Sequence, residues 1–348
     1  MLQREYFCCE KIVNPEIFDN KRILVLGASG LIGSSIIYTL LYWSLEHAVS
    51  IRIVAGGRSI NRLNSLYGEV PNIDCFAIDV MQMFPEIGDF DFIINAASPA
   101  DPASFSDRPA EVLLSNVVGV SNIAKYACQH GNPVIVHISS GEVYGFFSQD
   151  HKVTEEEQGF LPFLDTRACY PMGKRAAETL CISLCAEKNL DIRIARPSHV
   201  FGPGFSPRDS RISADFFRTA LKNSNIVLHS PGTQKRTYIF SGDCASGILS
   251  IAAAGCAGQI YNVTNSSNVT TVYAFARQIA QKHGLSVDIQ IQHSVDNTTP
   301  EKLYRVAQLD DRKLRSLGWG PIVGLGEGID KTFMALEQEY MSLDGHIF

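Results

Sequence analysis

Runs of valine, isoleucine and leucine recur along the first half of the chain, with polar and glycine-containing stretches between them. Six of these runs have the length of β-strands: RILVLG, SIRIVAG, IDCFAID, DFIINAA, PVIVHIS and LDIRIA. Helical stretches separate most of them. Strands that lack polar alternation are typical of a parallel sheet covered by helices on both faces. The pattern therefore predicts an α/β fold built on a doubly wound parallel sheet.

The texture of the sequence changes after Arg196. The segment RPSHVFGPGFSPRDSR is dense in proline, glycine and serine, which marks loops where the chain leaves the sheet. The run QIYNVTNSS, near Gln259, is expected to return to the sheet as a further strand. We therefore expect an N-terminal extension over residues 1–20, a sheet domain over residues 21–196 plus about 236–263, and a smaller lobe over about 197–235 plus 264–348.

Composition narrows the class of protein. The 348 residues are 45% hydrophobic and 19% charged with a formal net charge of -6, which is ordinary for a soluble globular protein and predicts no nucleic-acid partner. The N-terminal segment lacks the unbroken apolar run of a signal peptide, so we expect a cytoplasmic protein. The longest apolar run, Leu31 to Trp43, is too short to span a bilayer and predicts a buried helix without a membrane partner. Nine cysteines, none in a spacing typical of a zinc site, predict no metal site.

A glycine-rich turn follows the first predicted strand. In GASGLIG, Gly27, Gly30 and Gly33 stand between that strand and a helix, the context in which glycines let a backbone approach a pyrophosphate. The helix N-terminus presents free amides and a partial positive charge to the phosphates. Asp79, after the third strand, can accept a hydrogen bond from an adenine amino group, with a helix cap as its alternative role. These features predict a Rossmann-type dinucleotide site, against the alternative of a tight structural turn.

The end of the second predicted strand bears on which nicotinamide dinucleotide is bound. It reads VAGGRS, without the Asp or Glu that would hold the free ribose hydroxyls of NAD. Arg58 stands there instead, and a guanidinium beside that ribose favours the additional phosphate of NADP. The segment slightly favours NADP and leaves NAD open, with a surface arginine as the alternative interpretation.

Two residues in YPMGK are of the types that catalyse the oxidation of a hydroxyl group. Tyr170 and Lys174 lie one helical turn apart, so both side chains reach the same face. A phenol with a pKa of about 10 is a poor base at neutral pH, but a neighbouring ammonium and the nicotinamide charge stabilise its phenolate. Tyr170 can then take a hydroxyl proton from the substrate. Ser140, at the end of the fifth strand, can hydrogen-bond the same oxygen while hydride leaves for the cofactor.

Together, GASGLIG, NAAS, SSGEVYG, YPMGK and RPSHVFGPG resemble the extended short-chain dehydrogenases, the nucleotide-sugar epimerase and dehydratase family. The resemblance runs from Lys21 to the C-terminal LDDRKLRSLGWGPIVGLGEGI. It implies a catalytic set of Ser140, Glu142, Tyr170 and Lys174, with Tyr170 and Lys174 also at the cofactor. We further expect a tightly bound, recycled NAD or NADP, a nucleotide-diphosphate sugar as substrate, and a homodimer.

The resemblance also extends the list of expected contacts. Besides the glycines, Arg58 and Asp79, the cofactor is expected to contact Ser29, Leu31, Ile32, Val80, Ala96, Ala97, Ser98, Asn116, Arg196 and Pro197. Asn116 resembles the family's buried structural asparagine, and Arg236 its diphosphate-binding arginine. Besides Ser140 and Glu142, the substrate is expected to contact Pro99, Gly141, His199, Arg211, Arg236 and Arg305.

Glu142 narrows the reaction. Oxidation at C4 makes the C5 proton acidic, and a carboxylate near C5 can shuttle it, whereas simple 4-epimerases generally lack this residue. The segments ASPADP, TRACYPMGKRAAETL and DSRISADFF resemble the UDP-glucuronate decarboxylases, in which C4 oxidation leaves a β-keto acid that loses carbon dioxide. Gly141 stands where the dTDP-glucose dehydratases carry Asp, and His199 where the family usually has Asn. A UDP-glucuronate decarboxylase is the favoured hypothesis, with a 4,6-dehydratase or a 4-epimerase as alternatives.

Two other classes of protein share this fold. Members that have lost catalysis serve as dinucleotide-sensing regulators, but these typically lose the tyrosine or the lysine. Steroid- or flavonoid-type reductases need free NADPH and apolar pockets, whereas Arg236 and Arg305 favour a diphosphate, which arginine binds through parallel hydrogen bonds. The sequence therefore favours a nucleotide-sugar enzyme over both.

Overall fold

Strands and helices alternate along most of the chain, which the computed structural model describes over residues 15–206, 209–291, 304–305 and 308–342. The strands are β1 (Lys21–Leu26), β2 (Ile51–Gly57), β3 (Ile73–Ala77), β4 (Phe92–Asn95), β5 (Val134–Ile138), β6 (Phe146–Phe147), β7 (Lys152–Val153), β8 (Ile192–Pro197), β9 (His199–Phe201), β10 (Ile226–Leu228), β11 (Lys235–Phe240), β12 (Ile260–Val263), β13 (Val269–Thr271), β14 (Val287–Ile289), β15 (Tyr304–Arg305) and β16 (Gln308–Leu309). The α-helices are α1 (Leu31–Glu46), α2 (Ile60–Tyr67), α3 (Pro102–Asp107), α4 (Pro109–Gln129), α5 (Cys169–Lys188), α6 (Ile212–Leu221), α7 (Ser241–Ala254), α8 (Val272–Lys282), α9 (Arg312–Arg315) and α10 (Leu325–Ser342). Short 3₁₀ helices cover Pro15–Phe18, Gly141–Tyr144 and Thr166–Ala168.

Seven strands form one sheet in the order β12-β8-β5-β4-β1-β2-β3, and every neighbouring pair is parallel. All six predicted apolar runs supply a strand, and the run near Gln259 supplies β12 at the edge. The four residues of β4 are all buried, as expected for a strand covered on both faces. The predicted doubly wound α/β fold is confirmed.

Helices cover the two faces of the sheet, and alternate residues of a strand contact different helices. Ile23 and Val25 of β1 belong to a core cluster with α1 and α7, whereas Leu24 and Leu26 belong to another with α4 and α5. The predicted helix after the glycine turn is α1. The buried hydroxyl of Ser35 donates to the Leu31 carbonyl at 2.8 Å, so the small polar residues of this helix cost little to bury.

The described end of the N-terminal extension contacts the sheet domain. The 3₁₀ helix Pro15–Phe18 places the Phe18 side chain in the core, fully buried. Its ring centroid lies 5.2 Å from that of Phe92 on β4 and 6.1 Å from that of Trp43 on α1. Phe18 therefore contributes to the packing of the domain that follows it.

A smaller group of elements follows β8. Strands β9, β11 and β13 form a three-stranded sheet, β10 pairs with β14, and α6, α8 and α10 pack around a cluster rich in phenylalanine. Thr271 begins α8 by accepting a hydrogen bond from the Ala274 amide at 3.1 Å. Between β11 and β13, helix α7 and strand β12 return the chain to the large sheet.

The order of the strands creates a crevice at one point. Strands β1 and β4 are neighbours, yet the chain runs from β1 through β2 and β3 before it crosses back to β4. The connections after β1 and β4 therefore lead in opposite directions and leave space between the carboxyl ends of the two strands. The glycine turn and the Ala96–Ser98 segment both border this space.

Candidate active site

The glycine turn brings the loop after β1 close to the loop after β4. Gly27 has a φ of +72°, and a Cβ added to it would lie 2.6 Å from the carbonyl oxygen of Ala96. A Cβ on Gly33 would lie 2.2 Å from the carbonyl oxygen of Gly27, so the first turn of α1 packs directly on the loop. A side chain at either position is sterically excluded. The turn thus leaves the amides at the start of α1 open toward the crevice.

A cavity of about 900 Å³ extends from this turn along the crevice. Many of the residues predicted to bind the cofactor line it: Gly27, Ser29, Gly30, Leu31, Ile32, Gly33, Arg58, Asp79, Val80, Ala96, Ala97 and Ser98, together with the predicted substrate residues Pro99 and Arg211. The volume and the amide-rich cradle fit a nicotinamide dinucleotide, whose pyrophosphate would lie at the N-terminus of α1. Sequence reasoning missed other lining residues, among them Arg62, Met81, Asp101, Arg108, Glu111 and Asp209.

Three residues define the end of the cavity where the second strand finishes. Arg58 is largely exposed, and its Nη1 lies 3.5 Å from a carboxylate oxygen of Glu111 on α4. Arg62 Nη2 donates to the Ser29 carbonyl at 3.3 Å. Glu111 also pairs with Arg108 at 3.0 Å, so one carboxylate of α4 lies beside two arginines at this end of the cavity.

Asp79 and Asn116 are held by local hydrogen bonds. Asp79 Oδ1 accepts from the Met81 amide at 3.0 Å within a turn, and no helix begins at this position, so the alternative role as a helix cap is wrong. Asn116 is buried, donates to the Val112 carbonyl at 2.7 Å and accepts from the Ser98 hydroxyl at 3.0 Å. It ties α4 to the loop after β4, while Asp79 still lines the cavity.

The predicted catalytic tyrosine and lysine occupy the first two turns of α5, and both are buried. Burial raises the pKa of Tyr170 to about 12, and the charge of Glu142 acts in the same direction, while a hydrogen bond with Ser140 and the charges of Arg211 and Arg167 oppose it. Burial also lowers the pKa of Lys174 to about 7, against the charge of Glu178. Lys174 Nζ donates to the Ile138 carbonyl at 2.7 Å and lies 5.8 Å from the centroid of the Tyr170 ring. The lysine therefore contacts the end of β5 through its ammonium and lies over the face of the phenol ring.

Phe105 of α3 covers Tyr170. The two rings stack with centroids 4.8 Å apart and an interplanar angle of 26°. Among the described residues that line the 900 Å³ cavity, neither Ser140, Tyr170 nor Lys174 appears. Helix α3 therefore contacts both the cavity and the phenol.

Glu142 lies beside the catalytic serine. Ser140 begins the 3₁₀ helix Gly141–Tyr144, and its Oγ accepts from the Glu142 amide at 3.1 Å. The Glu142 carboxylate oxygens lie 3.1 and 3.3 Å from Nη2 of Arg167, which is three residues before Tyr170. Gly141 faces a close contact, because a Cβ on it would lie 3.2 Å from Leu309 and 3.4 Å from the Pro197 carbonyl oxygen.

The structure assigns the Arg196 side chain a different role from the predicted cofactor contact. Its guanidinium forms a buried pair with Glu178 at 2.9 and 2.7 Å, and Nη1 donates to the Glu155 carbonyl at 3.1 Å. Although burial alone would lower the pKa of Arg196, the hydrogen bonds and charge of Glu178 raise it. The guanidinium therefore binds Glu178 of α5, the helix that also carries Tyr170 and Lys174.

The remaining predicted substrate residues lie in the smaller group of elements. Arg211 precedes α6, lines the cavity and pairs with the Asp209 carboxylate. His199 of β9 is half-buried, with its ring centroid 5.8 Å from that of Tyr238. Arg236 is half-buried on β11, where its backbone pairs with Thr270. The backbone of Arg305 pairs with Phe146, and its side chain lies outside the described part of the structure.

A Rossmann cradle followed by a Ser140, Tyr170 and Lys174 set defines a nicotinamide-dependent enzyme of the short-chain dehydrogenase type. A profile of the NAD dependent epimerase/dehydratase family matches residues 23–264. The chain belongs to this family, which is NAD-dependent.

Relatives and solved structures agree with this membership. The chain is 29% identical over 322 residues to UDP-glucuronic acid decarboxylase 1 of Xenopus tropicalis, covering 92% of this chain and 73% of the relative. It is 30% identical over 320 residues to UDP-glucuronic acid decarboxylase 6 of Arabidopsis thaliana, covering 91% and 89%. The fold matches an epimerase from Methanothermobacter thermautotrophicus with a TM-score of 0.81, at 20% identity and over 95% of this chain and 96% of the other.

A second structural neighbour was solved with a cofactor. A double mutant of a dTDP-glucose 4,6-dehydratase from Streptomyces venezuelae, with NAD bound, has a TM-score of 0.79 and 21% identity, covering 93% of this chain and 99% of the other. In the described ranges, no helix combines the length and the apolar character needed to cross a membrane.

Proposed function

We propose that this chain decarboxylates UDP-glucuronate through transient oxidation at C4 of the sugar. The observation that carries the proposal is Glu142, whose backbone amide donates to Ser140 Oγ and whose charge acts on Tyr170, in a chain that has the complete oxidation set. The similarity to two UDP-glucuronic acid decarboxylases over about nine tenths of the chain supports this substrate. A dinucleotide-sensing regulator would not need this carboxylate.

The chemistry follows from the positions of the hydroxyl and the carboxylate on the sugar. Bound NAD supplies a hydride acceptor that gives the hydride back in the same turnover. Tyr170, as phenolate, takes the proton of the 4-hydroxyl while Ser140 hydrogen-bonds the same oxygen, which leaves a ketone at C4. The C5–C6 bond is then β to that ketone. It breaks with its electron pair moving into the enolate, and carbon dioxide departs.

Reprotonation at C5 completes the loss of the carboxylate. We assign this proton transfer to Glu142, which follows Ser140 in the 3₁₀ helix after β5: its carboxylate takes up a proton from solvent and delivers that proton to C5 of the enolate. Tyr170 then returns its proton to O4 as C4 is reduced, so the product is a UDP-pentose and the redox state of the enzyme is unchanged. Purified protein should therefore carry its dinucleotide and need none added.

Mass spectrometry of the products distinguishes the candidate reactions. Incubation with UDP-glucuronate should give loss of carbon dioxide, whereas a 4,6-dehydratase would release water from its hexose and a 4-epimerase would leave the mass unchanged. Glu142→Gln keeps the volume of the side chain but can neither take up nor release a proton near neutral pH, so the variant should reduce the bound cofactor while product formation slows sharply. Net reduction of added dinucleotide by the native protein, or native turnover by the Gln variant, would contradict the proposal.

We also propose that the enzyme works as a homodimer in the cytoplasm. Leu113 and Leu114 on α4 and Ile182 on α5 expose apolar surface on two helices that pack together, which a second copy could cover. The unpaired state of the cysteines among the described residues is consistent with a reducing compartment. Light scattering of the purified protein measures the assembly directly.

A further inference from the structure

Arg167 is a basic residue in direct contact with Glu142, one member of the proposed acid–base pair. It lies in the 3₁₀ helix Thr166–Ala168, and its Nη2 lies 3.1 Å from a carboxylate oxygen of Glu142. Its charge also reaches Tyr170, because it opposes the rise in the pKa of that phenol. Arg167 is therefore part of the same electrostatic environment as the reacting hydroxyl, although the mechanism above does not use it.

One end of this guanidinium has no partner. Nη1 of Arg167 is buried and makes no hydrogen bond to any described residue, while Nη2 is occupied by Glu142. An arginine offers five donors, and leaving a buried donor without an acceptor costs free energy, so such a group calls for an explanation. The unpartnered nitrogen therefore indicates a place for an acceptor that arrives with a ligand.

The same aromatic ring covers both the phenol and the guanidinium. Phe105 stacks on Tyr170 at 4.8 Å, and Cζ of Arg167 lies 4.5 Å from the centroid of the Phe105 ring. A sugar that binds beside Tyr170 therefore also lies close to Arg167 and to this ring. Arg167 is accessible to such a ligand, because 42% of its side chain is exposed.

The charge of the sugar determines how strongly it can bind to Arg167. A hexuronate brings a carboxylate toward Glu142, and two carboxylates side by side repel each other unless a cation lies between them. A guanidinium can bridge two carboxylates, with Nη2 on one and Nη1 on the other. A sugar with a neutral hydroxymethyl group at C6 gains much less from such a bridge.

We infer that Arg167 recognises the C6 carboxylate of the substrate through Nη1 while it holds Glu142 through Nη2. This inference rests on the proposed function, since it assumes a UDP-hexuronate. It makes Arg167 the residue that selects an acidic sugar over a neutral one.

The test measures the binding of three ligands, UDP-glucuronate, UDP-glucose and UDP, by calorimetry. The NAD-loaded protein carries Tyr170→Phe so that substrate is not consumed. Adding Arg167→Gln should weaken the binding of UDP-glucuronate roughly ten- to a hundredfold, while the affinities for UDP and UDP-glucose should stay within about twofold of their original values. Arg167→Lys, which keeps the charge but not the fork, should retain part of the preference. Arg277→Gln, the same change at an exposed site on α8, should alter none of the affinities.

The outcomes separate the inference from the function on which it rests. If the Arg167 variants still prefer UDP-glucuronate, or if they bind all three ligands more weakly by the same factor, Arg167 only positions Glu142 and the inference is overturned. If protein with native Arg167 binds UDP-glucuronate no more tightly than UDP-glucose, the proposed substrate itself is wrong. Retained UDP binding shows that each variant is folded.

Discussion

The buried pair between Glu178 and Arg196 offers a direct test of what holds the catalytic helix in place. Both side chains are more than nine tenths buried, and two hydrogen bonds of 2.9 and 2.7 Å join them. Arg196 also lies over the Tyr144 ring, with Cζ 4.7 Å from its centroid. Glu178→Gln keeps the shape of the side chain but leaves the guanidinium charge buried without its counter-charge.

The expected cost is large for a single substitution. Removing one partner of a buried ion pair typically costs about 3–5 kcal/mol, since the remaining charge stays out of water. Gln retains one acceptor oxygen, and Arg196 keeps its hydrogen bond to the Glu155 carbonyl. We therefore expect Glu178→Gln to lower the free energy of unfolding by about 3 kcal/mol. The exposed pair of Lys282 and Asp330 provides a matched control, and Asp330→Asn should cost about 1 kcal/mol or less.

Urea unfolding compares the two variants with the native protein. A double variant, Glu178→Met with Arg196→Met, should recover much of the loss, because apolar replacement removes both desolvation costs together. Equal midpoint shifts for Glu178→Gln and Asp330→Asn would refute the reasoning, as would a double variant less stable than Glu178→Gln.

The same substitution has a second, electrostatic consequence. The Glu178 charge raises the pKa of Lys174 against the effect of burial. Its removal should lower that pKa below about 7, so the ammonium is lost at a lower pH. The basic side of the pH–rate profile should move to lower pH in Glu178→Gln and stay unchanged in Asp330→Asn.

Two further predictions concern the catalytic helix. Tyr170→Phe removes the proton acceptor and should reduce turnover by on the order of a hundredfold or more without a change in the urea midpoint; near-native turnover would contradict the assignment. Lys174→Met should abolish activity yet stabilise the fold. The pKa of Lys174 is about 7 in the folded state and 10.5 in the unfolded state, and this difference corresponds to a gain in the free energy of unfolding of roughly 5 kcal/mol at most. Because the pKa of Lys174 is lower in the folded state, the cost of burying its ammonium is fully present below pH 7 and disappears as the pH rises from about 7 to 10.5. The stabilisation of Lys174→Met measured by urea unfolding should therefore be largest in acid and fade toward pH 10.5. A difference in stability that does not depend on pH would contradict this prediction.

Sequence reasoning located the strands and the dinucleotide cradle because both depend on local composition. Apolar runs that lack alternation leave few alternatives to a covered parallel sheet. Gly27 and Gly33 are required by contacts of less than 3 Å that any side chain would make, and this requirement is visible as spacing. Positions at strand ends, such as Asp79, follow from the same topology.

Contacts between distant segments were beyond the same reasoning. Arg196 stands beside Pro197 at a strand end, but its spacing does not reveal that Glu178 of α5 binds the side chain. Arg58 was placed correctly along the cavity, yet its partner Glu111 lies 53 residues away. Arg167 was noticed only as part of a resembling segment, since its contact with Glu142 spans 25 residues.

Helix α5 shows why stability and catalysis conflict in this site. Tyr170, Lys174 and Glu178 follow one another at intervals of four, so one face of the helix presents a phenol, an amine and a carboxylate, all buried. Burial opposes ionisation of the first two, yet the reaction needs a phenolate stabilised by an ammonium. Glu178 serves both Lys174 and Arg196, and it is the counter-charge that makes a buried ammonium tolerable near neutral pH. An apolar replacement that stabilises this face therefore removes the charge that the phenol requires.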